Sequence, residues 1–190
     1  MMLNVNKERV KIRNLVARYN MIANLFWSAL NLVPISVFCY RHINLKLFFT
    51  FLIISLLSIL LPKSFFDSIQ LGKTTSVYKK IGIGFVNRFA QNGELINKLI
   101  RKKYPQYKVV SDDKRSVNKL LQQTYMFEKF HFIMFSFFTF IIVYALIKRY
   151  WLWAFIVFAN NLIYNVYPNL LQQYIRVRLT LLKNRIRITS

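Results

Sequence analysis

Residues Phe130–Ile147 read FHFIMFSFFTFIIVYALI and contain no Lys, Arg, Asp or Glu. An apolar run of this length approaches the roughly 20 residues that an α-helix needs to cross a bilayer. Three further windows of the chain are equally free, or nearly free, of charge. They are Met21–Tyr40, Leu47–Leu61 and Tyr150–Tyr167. The pattern predicts an all-α integral membrane protein with four transmembrane helices.

The composition of the 190-residue chain fits this fold class. The chain is 55% hydrophobic and 17% aromatic, yet its formal net charge is +22. This apolar content is far above that of disordered chains, and a soluble domain would have difficulty covering it. The two properties are compatible when apolar residues lie in lipid and basic residues lie outside it. Membrane topology then accounts for the charge, so nucleic acid is not expected as a partner.

The lysines and arginines indicate the orientation. Of the 28, only Arg41, Lys46, Lys148 and Arg149 lie in the two short loops between paired windows. Cytoplasmic loops carry the excess of Lys and Arg, so both termini and the central segment should face the cytoplasm across the cell (inner) membrane. The predicted single membrane domain comprises a basic segment 1–20, a hairpin 21–61, a basic helical segment 62–128, a second hairpin 129–168 and a basic tail 169–190.

Two features of the central segment carry predictions. Leu95, Ile96, Leu99 and Ile100 share one helix face beside basic residues, which is typical either of a helix lying on an anionic membrane surface or of one packed on its neighbours. A second helix should begin at 111–113 and run unbroken into the third window. The single cysteine, Cys39, is interpreted as a membrane-helix core residue, and no metal site is evident.

Candidate catalytic residues are few, because the chain has six acidic residues and two histidines. Glu128 and His131 lie three residues apart, on one face of the predicted helix, at the cytoplasmic end of the third window. A carboxylate beside an imidazole can fix its tautomer and raise its basicity. The pair is therefore a candidate general base that activates a hydroxyl, although the same spacing also occurs in purely structural pairs.

Polar residues also recur along the fourth window. Polar groups at membrane depth are expected to face partners or a wet cavity, so this stripe should point into the helix bundle. Its members are Asn161, Asn165, Pro168, Gln172 and Arg176. A shorter stripe of Asn24, Ser28 and Asn31 lies in the first window, where we interpret both asparagines as interhelical hydrogen-bonding groups.

Topology should bring the two sets of polar residues together. The third and fourth windows are joined by a short loop, so their helices should be antiparallel neighbours. Glu128 and His131 would then face Gln172, Tyr174, Arg176 and Arg178 at one depth. Two arginines opposite an acid–imidazole pair favour a pocket for an anionic or phosphate-bearing substrate, open to cytosol and to acyl chains.

These residues resemble motifs of one known family. The tail Gln172-Gln173-Tyr174-Ile175-Arg176-Val177-Arg178-Leu179 is similar to Q-R-Y-N-R-P-R-L, which closes the glycosyl-diaponeurosporenoate acyltransferases. Thr124, Glu128 and His131 match that family's T-x-x-x-E-x-x-H. The likeness implies a membrane enzyme of staphyloxanthin-type carotenoid biosynthesis that transfers a fatty acyl group to a sugar hydroxyl of a glycosylated carotenoid acid. The chain departs from the family at Gln123, Gln173, Ile175 and Val177.

The leading hypothesis is an acyltransferase that acts on a glycosylated lipid or carotenoid. His131, oriented by Glu128, would deprotonate the acceptor hydroxyl. Arg176 and Arg178 would hold the donor, and Gln172, Tyr174 and Asn165 would line the substrate pocket. The implied donor is acyl-CoA or an acyl carrier protein, with no bound cofactor. The alternative is a non-catalytic membrane subunit whose basic face docks a protein partner or anionic lipid; neither hypothesis specifies an oligomeric state.

Overall fold

A computed structural model describes residues 2–90, 93–107 and 114–189, and this part of the chain folds into helices without any strand. The two longest helices are α1 and α7, and short helices fill the segment between the second and third apolar windows. The elements are α1 (Met2–His42), α2 (Leu45–Leu56), a 3₁₀ turn (Leu57–Leu60), α3 (Lys63–Ser68), α4 (Thr75–Lys80), α5 (Ile83–Phe89), α6 (Glu94–Lys103), α7 (Lys114–Ile147), α8 (Trp151–Asn161), a π-helical turn (Leu162–Val166) and α9 (Tyr167–Thr189).

Two helices of the described chain are long and apolar enough to cross a membrane. They are Val10–His42, within α1, and the whole of α7. The most apolar windows of these helices have a mean hydropathy of 1.6 and 2.2, and only 22% of each window is buried inside the protein. The core helix of a soluble protein would be mostly buried, whereas much of the apolar surface of these two helices lies outside the protein core.

The other two apolar windows form shorter helices. The second window gives α2, of 12 residues, and then tightens into the four-residue 3₁₀ turn. The fourth window is divided by the π-helical turn between α8 and α9. The all-helical class is therefore confirmed for the described residues, two helices could span a membrane, and the four membrane crossings stay a prediction.

Helix α7 is the central element of the bundle. It packs against α9, α8 and α2. In its C-terminal part, Phe138, Ile141 and Ala145 are fully buried against Phe38 of α1 and Val157 of α8. Near the same end, the Tyr144 hydroxyl donates a 2.7 Å hydrogen bond to the carbonyl oxygen at the end of α1. The described part of α7 runs unbroken into the third window, as predicted, and the predicted start at 111–113 lies outside the described residues.

The sequence of the amphipathic helix α6 was compatible with packing on neighbouring helices or with lying on a membrane surface, and its two sides differ in this respect. Ile96 and Ile100 are buried, since α6 contacts α1 and α5. Leu95 and Leu99 are exposed beside the basic last turn of the helix. One side of α6 is thus packed on neighbours, and the other side is available to a membrane surface or a partner.

Gly93, which caps the start of α6, should not tolerate a side chain. A Cβ at Gly93 would lie 2.6 Å from the Ala90 carbonyl oxygen and still closer to that of Asn87. Overpacking of this kind costs about 1–3 kcal/mol, or roughly 2–4 °C in Tm for each kcal/mol in a chain of this size. We therefore expect Gly93→Ala to lower the Tm measured in detergent. Gly84→Ala is the matched control, because a Cβ there meets nothing within 4 Å and alanine favours the helix; an equal loss in both variants would contradict the packing at Gly93.

Candidate active site

The charged centre of the bundle is an ion pair between α7 and α9. Glu128 is 1% exposed and Arg176 is 4% exposed, and the Arg176 Nη1 donates to Glu128 Oε2. Removing two charges from water is costly unless the remaining hydrogen-bonding positions are also filled. The surrounding contacts therefore decide whether this pair is stable.

Each of the three guanidinium nitrogens of Arg176 donates a hydrogen bond. Nε donates to Gln70 Oε1 at 3.1 Å, and Nη2 donates to the Phe66 carbonyl oxygen at 3.1 Å. The guanidinium also lies over the Tyr125 ring, with 4.4 Å from Cζ to the ring centroid, and Asp67 Oδ1 is 3.8 Å from Nε. Arg176 therefore joins α3 and the loop that follows it to α7 and α9.

Gln173 completes the same network from the preceding turn of α9. Its Nε2 donates to Glu128 Oε1 at 2.9 Å, while its Oε1 accepts from the Leu71 N–H at 3.0 Å and the Tyr78 hydroxyl at 3.2 Å. The Tyr78 hydroxyl also donates to the Gly72 carbonyl oxygen at 3.0 Å, and burial raises the pKa of Tyr78. We call Glu128, Gln173 and Arg176, with the partners described above, the Arg176 network.

The structure differs from two sequence predictions at this point. The Glu128 carboxylate accepts hydrogen bonds from Gln173 and Arg176, and the described residues show none between Glu128 and His131. Arg176 is enclosed by protein groups, so it is not available to hold a donor phosphate. Glu128 and Arg176 thus contact each other, rather than His131 and a donor, and their roles in catalysis and substrate binding stay predictions.

His131 lies one turn deeper along α7, among uncharged polar groups. Its polar neighbours are the Asn165 side chain and the Tyr164 backbone carbonyl, and its ring packs edge-on against the Tyr164 ring at 5.9 Å. Nδ1 of His131 and Oδ1 of Asn165 are buried, and neither has a hydrogen bond of normal geometry among the described residues. Since buried polar atoms are nearly always paired, these two neighbouring atoms would pair with each other after a small adjustment, or with a ligand or water.

Asn165 is held in place by the turn before it. Its Nδ2 donates to Asn161 Oδ1 at 2.8 Å, and the Asn161 amide reaches the Phe135 carbonyl oxygen of α7 at 3.3 Å. Both asparagines are buried. The amide group of Asn165 is therefore fixed by its nitrogen, and its carbonyl oxygen remains beside His131.

The π-helical turn explains why Tyr164 and Asn165 meet His131. The Tyr167 N–H bonds to the Leu162 carbonyl oxygen, five residues earlier. Pro168 has no N–H to give to the Tyr164 carbonyl oxygen, four residues before it. That carbonyl therefore receives no N–H from residue 168, and it lies against His131. Turns of this kind are frequent at functional sites.

The same turn changes which residues face the bundle. The predicted stripe continued through Gln172, but a π-helical turn takes up an extra residue, so Gln173 takes the inward position and Gln172 is only partly buried. The inward polar residues are Asn161, Asn165, Asn169, Gln173 and Arg176. A search for polar residues at steps of four would have found Asn169 and Gln173.

The remaining predicted substrate-binding residues lie away from His131. Tyr174 is buried against Tyr78, with ring centroids 6.2 Å apart, and Arg178 is exposed, with its guanidinium 5.6 Å from the Tyr174 ring centroid. The structure thus brings together Glu128 with Arg176, and His131 with Asn165, as two separate groups.

The departures from the family motif are accommodated by packing. Gln173 is central to the Arg176 network, and Val177 is buried in the apolar cluster around Tyr78, with Ile175 at its edge. Gln123 is partly buried on α7. Within the described ranges, no three His, Cys, Asp or Glu side chains lie close enough together to hold a metal ion.

Among the described residues, the structure shows no interhelical hydrogen bond for either of the first-window asparagines, which were predicted to be interhelical groups. Asn31 is buried, but its amide donates to the Trp27 carbonyl oxygen of its own helix at 2.7 Å. Asn24 is exposed and so does not join helices. Ser28 makes the contact between helices instead, since its Oγ lies 3.3 Å from the Tyr164 hydroxyl.

Comparison with known proteins gives one match. The family model of glycosyl-4,4'-diaponeurosporenoate acyltransferase matches residues 62–185, which is more than half of the chain and includes both polar groups. No curated protein and no solved structure matches the chain significantly.

The Arg176 network should be essential for stability. Arg176→Gln leaves the Glu128 carboxylate buried and unpaired, and loss of one partner of a buried pair costs about 3–5 kcal/mol. Arg88→Gln is the control, because the Arg88–Glu94 pair, at 3.4 Å, is 62% and 70% exposed and such a pair contributes at most about 1 kcal/mol. Thermal unfolding in detergent would measure both.

A double substitution separates pairing from packing in this network. Replacing both Glu128 and Arg176 by Met removes both charges, so we expect the double variant to be more stable than Arg176→Gln. If the double variant were less stable than Arg176→Gln, the unpaired Glu128 charge would not be the source of the lost stability.

Proposed function

Because the chain belongs to the glycosyl-4,4'-diaponeurosporenoate acyltransferase family, we propose that it transfers a fatty acyl group onto a sugar hydroxyl of a glycosylated lipid or carotenoid in the membrane. The observation that carries this proposal is the His131–Asn165 group, with its two unpaired buried polar atoms. It is the one place among the described residues where an imidazole and an unpaired amide oxygen lie side by side.

In the proposed reaction His131 is the general base. It accepts the proton of the acceptor hydroxyl as the oxygen attacks the carbonyl carbon of an acyl thioester. The new C–O ester bond forms, the C–S bond breaks, and His131 returns the proton to the departing thiolate. Neutral imidazole suits this role because it can both accept and donate a proton near neutral pH. Asn165 Oδ1 orients the ring or the incoming hydroxyl.

The Arg176 network takes a positioning role in this proposal. Glu128 lies one turn from His131 on α7, and Arg176 lies beyond Asn165 along the last helix. Their ion pair fixes the two helices against each other, so the distance between His131 and Asn165 is maintained. Such pre-arranged geometry is required for efficient transfer. Glu128 therefore supports the catalytic residue without contacting substrate.

The donor is proposed to approach from the cytoplasmic end. Arg178 is exposed there, and Gln172 lies partly buried on the same helix; an arginine can bind phosphate oxygens with two parallel hydrogen bonds. An acyl-CoA or an acyl carrier protein would supply both a phosphate and a thioester.

We further propose four membrane crossings with both termini in the cytoplasm. Large side chains are exposed along the four windows, among them Phe26, Ile53, Leu146 and Phe155. The Lys129 ammonium group donates to the carbonyl oxygen of Ile59 at 2.6 Å, so the inner ends of the second and third windows lie at one level. Basic residues beyond that level fit the positive-inside rule.

Substitution of His131 tests the mechanism. His131→Gln should lower turnover by about 10²–10⁴-fold, the usual contribution of general acid–base catalysis, because Gln keeps the polarity but accepts no proton. The assay is acyl transfer from a labelled thioester to a glycosylated lipid by protein in liposomes. His42→Gln is the matched control, since His42 is the last residue of α1 and lies away from His131. Its ring is tilted against the Tyr150 ring, with the ring centroids 4.5 Å apart. Full activity of the His131 variant would rule out the mechanism.

Labelling of single cysteines tests the topology. In a Cys39→Ser background, Lys148→Cys should react with an impermeant maleimide added outside sealed right-side-out vesicles, and Lys102→Cys should react only after permeabilisation. Both positions are exposed, so the membrane alone would cause the difference. Labelling of both before permeabilisation would contradict the four-crossing topology.

The second candidate function is the docking subunit. It is favoured by the outer side of α6, where Leu95 and Leu99 are exposed beside Arg101, Lys102 and Lys103. Reversal of these three charges would abolish the function of a docking subunit, whereas His131→Gln would leave it intact. The acyltransferase proposal expects the opposite pattern.

A further inference from the structure

The inward face of α1 contains an opening at the depth of His131. Asn20 and Asn31 lie on this face and are 6% and 1% exposed, whereas Asn24, between them, is exposed. Helix α1 contacts α6 and α8, and beyond Asn31 its residues Ile35 and Phe38 belong to the buried cluster that includes α8. Packing is therefore interrupted around Asn24, between two regions where α1 is closely packed.

The interruption is a cleft of about 350 Å³. It is lined by Ala17, Asn20, Met21, Asn24, Leu25 and Ser28, which recur at three- and four-residue steps and so form one stripe of the helix. An exposed amide near membrane depth is unfavourable unless it has a polar partner. The cleft is thus better explained by a bound ligand than by contact with lipid tails.

The lining residues indicate the chemistry of that ligand. None of the six carries a charge, so the cleft is unsuited to the phosphates of a thioester donor. Amide and hydroxyl groups donate and accept hydrogen bonds, as the hydroxyls of a sugar require. Met21 and Leu25 are apolar and exposed, which suits a lipid chain attached to that sugar.

The cleft leads to the candidate base. Ser28, at its inner end, contacts the Tyr164 hydroxyl at 3.3 Å, and the Tyr164 ring packs against the ring of His131 at 5.9 Å. A sugar hydrogen-bonded to Asn24 and Ser28 would therefore lie next to Tyr164, on the side from which a hydroxyl can approach His131.

We propose that this cleft binds the uncharged sugar headgroup of the acceptor lipid, with Asn24 and Ser28 as hydrogen-bonding residues and Tyr164 as the link to His131. This inference names the acceptor site of the proposed acyl transfer and so rests on it. It also assigns acceptor and donor to different places, the first beside α1 and the second at the cytoplasmic end of α9.

Equilibrium binding tests the cleft without requiring turnover. Protein in lipid nanodiscs is titrated with radiolabelled monoglucosyl diacylglycerol, and sugar-free diacylglycerol serves as the reference ligand. Asn24→Leu and Ser28→Ala should each raise the Kd for the glucolipid about tenfold, which corresponds to about 1.4 kcal/mol of lost hydrogen bonding. Leu30→Ala is the matched control, because Leu30 is exposed on the side of the same helix opposite the cleft, and its Kd should be unchanged.

The outcomes separate the cleft from the reaction. A wild-type Kd in both Asn24→Leu and Ser28→Ala, or equal binding of the sugar-free lipid, would overturn the acceptor site. Displacement of the glucolipid by acyl-CoA would also overturn it, since the cleft would then bind the donor. Glucolipid binding that depends on Asn24 in a protein without transfer activity would support the sugar site and refute the proposed reaction instead.

Discussion

The buried ion pair between Glu128 and Arg176 is the constraint on which the rest of the structure depends. A charge in this position must have partners on every side, and the chain provides them from three separate parts: α7, α9 and the segment 66–72. Those parts are thereby held in one arrangement. The segment after the second apolar window is held by these contacts to Arg176 and by the fully buried Phe66, which packs against Phe132 of α7.

The charged groups of the Arg176 network are paired with protein groups, whereas the polar atoms of His131 and Asn165 remain available for a reaction. The Arg176 network uses its charged groups for structure, whereas His131 and Asn165, one turn deeper, are uncharged and retain unpaired atoms. A neutral site is suited to activating a neutral hydroxyl, because no adjacent carboxylate or guanidinium competes for the proton. In this account the cytoplasmic end recognises a charged donor, and the deeper cleft recognises an uncharged acceptor.

Sequence patterns were sufficient to predict the long helices and most of the polar residues that are buried between them. The continuous α7 followed from an unbroken apolar period, and the proximity of Glu128 to the last helix followed from the short loop between paired windows. The partners could not be predicted in the same way. The π-helical turn before Pro168 moved Gln173 into the position expected for Gln172; a regular helical period does not include such an insertion, and only the recurrence of polar residues at steps of four would have indicated it. The contacts of Arg176 with Phe66 and Gln70 are long-range, and no local pattern specifies them.

Lipid mass spectrometry tests the central claim, acyl transfer to a glycosylated lipid, most directly. Cells that lack the chain would be compared with cells complemented by the wild-type chain or by His131→Ala. The account predicts that one acylated glycolipid disappears on deletion, returns with the wild type and stays absent with the variant, and the missing mass would identify the acyl chain and the acceptor. An unchanged lipid profile on deletion, or equal restoration by both versions, would contradict the account and favour the docking subunit.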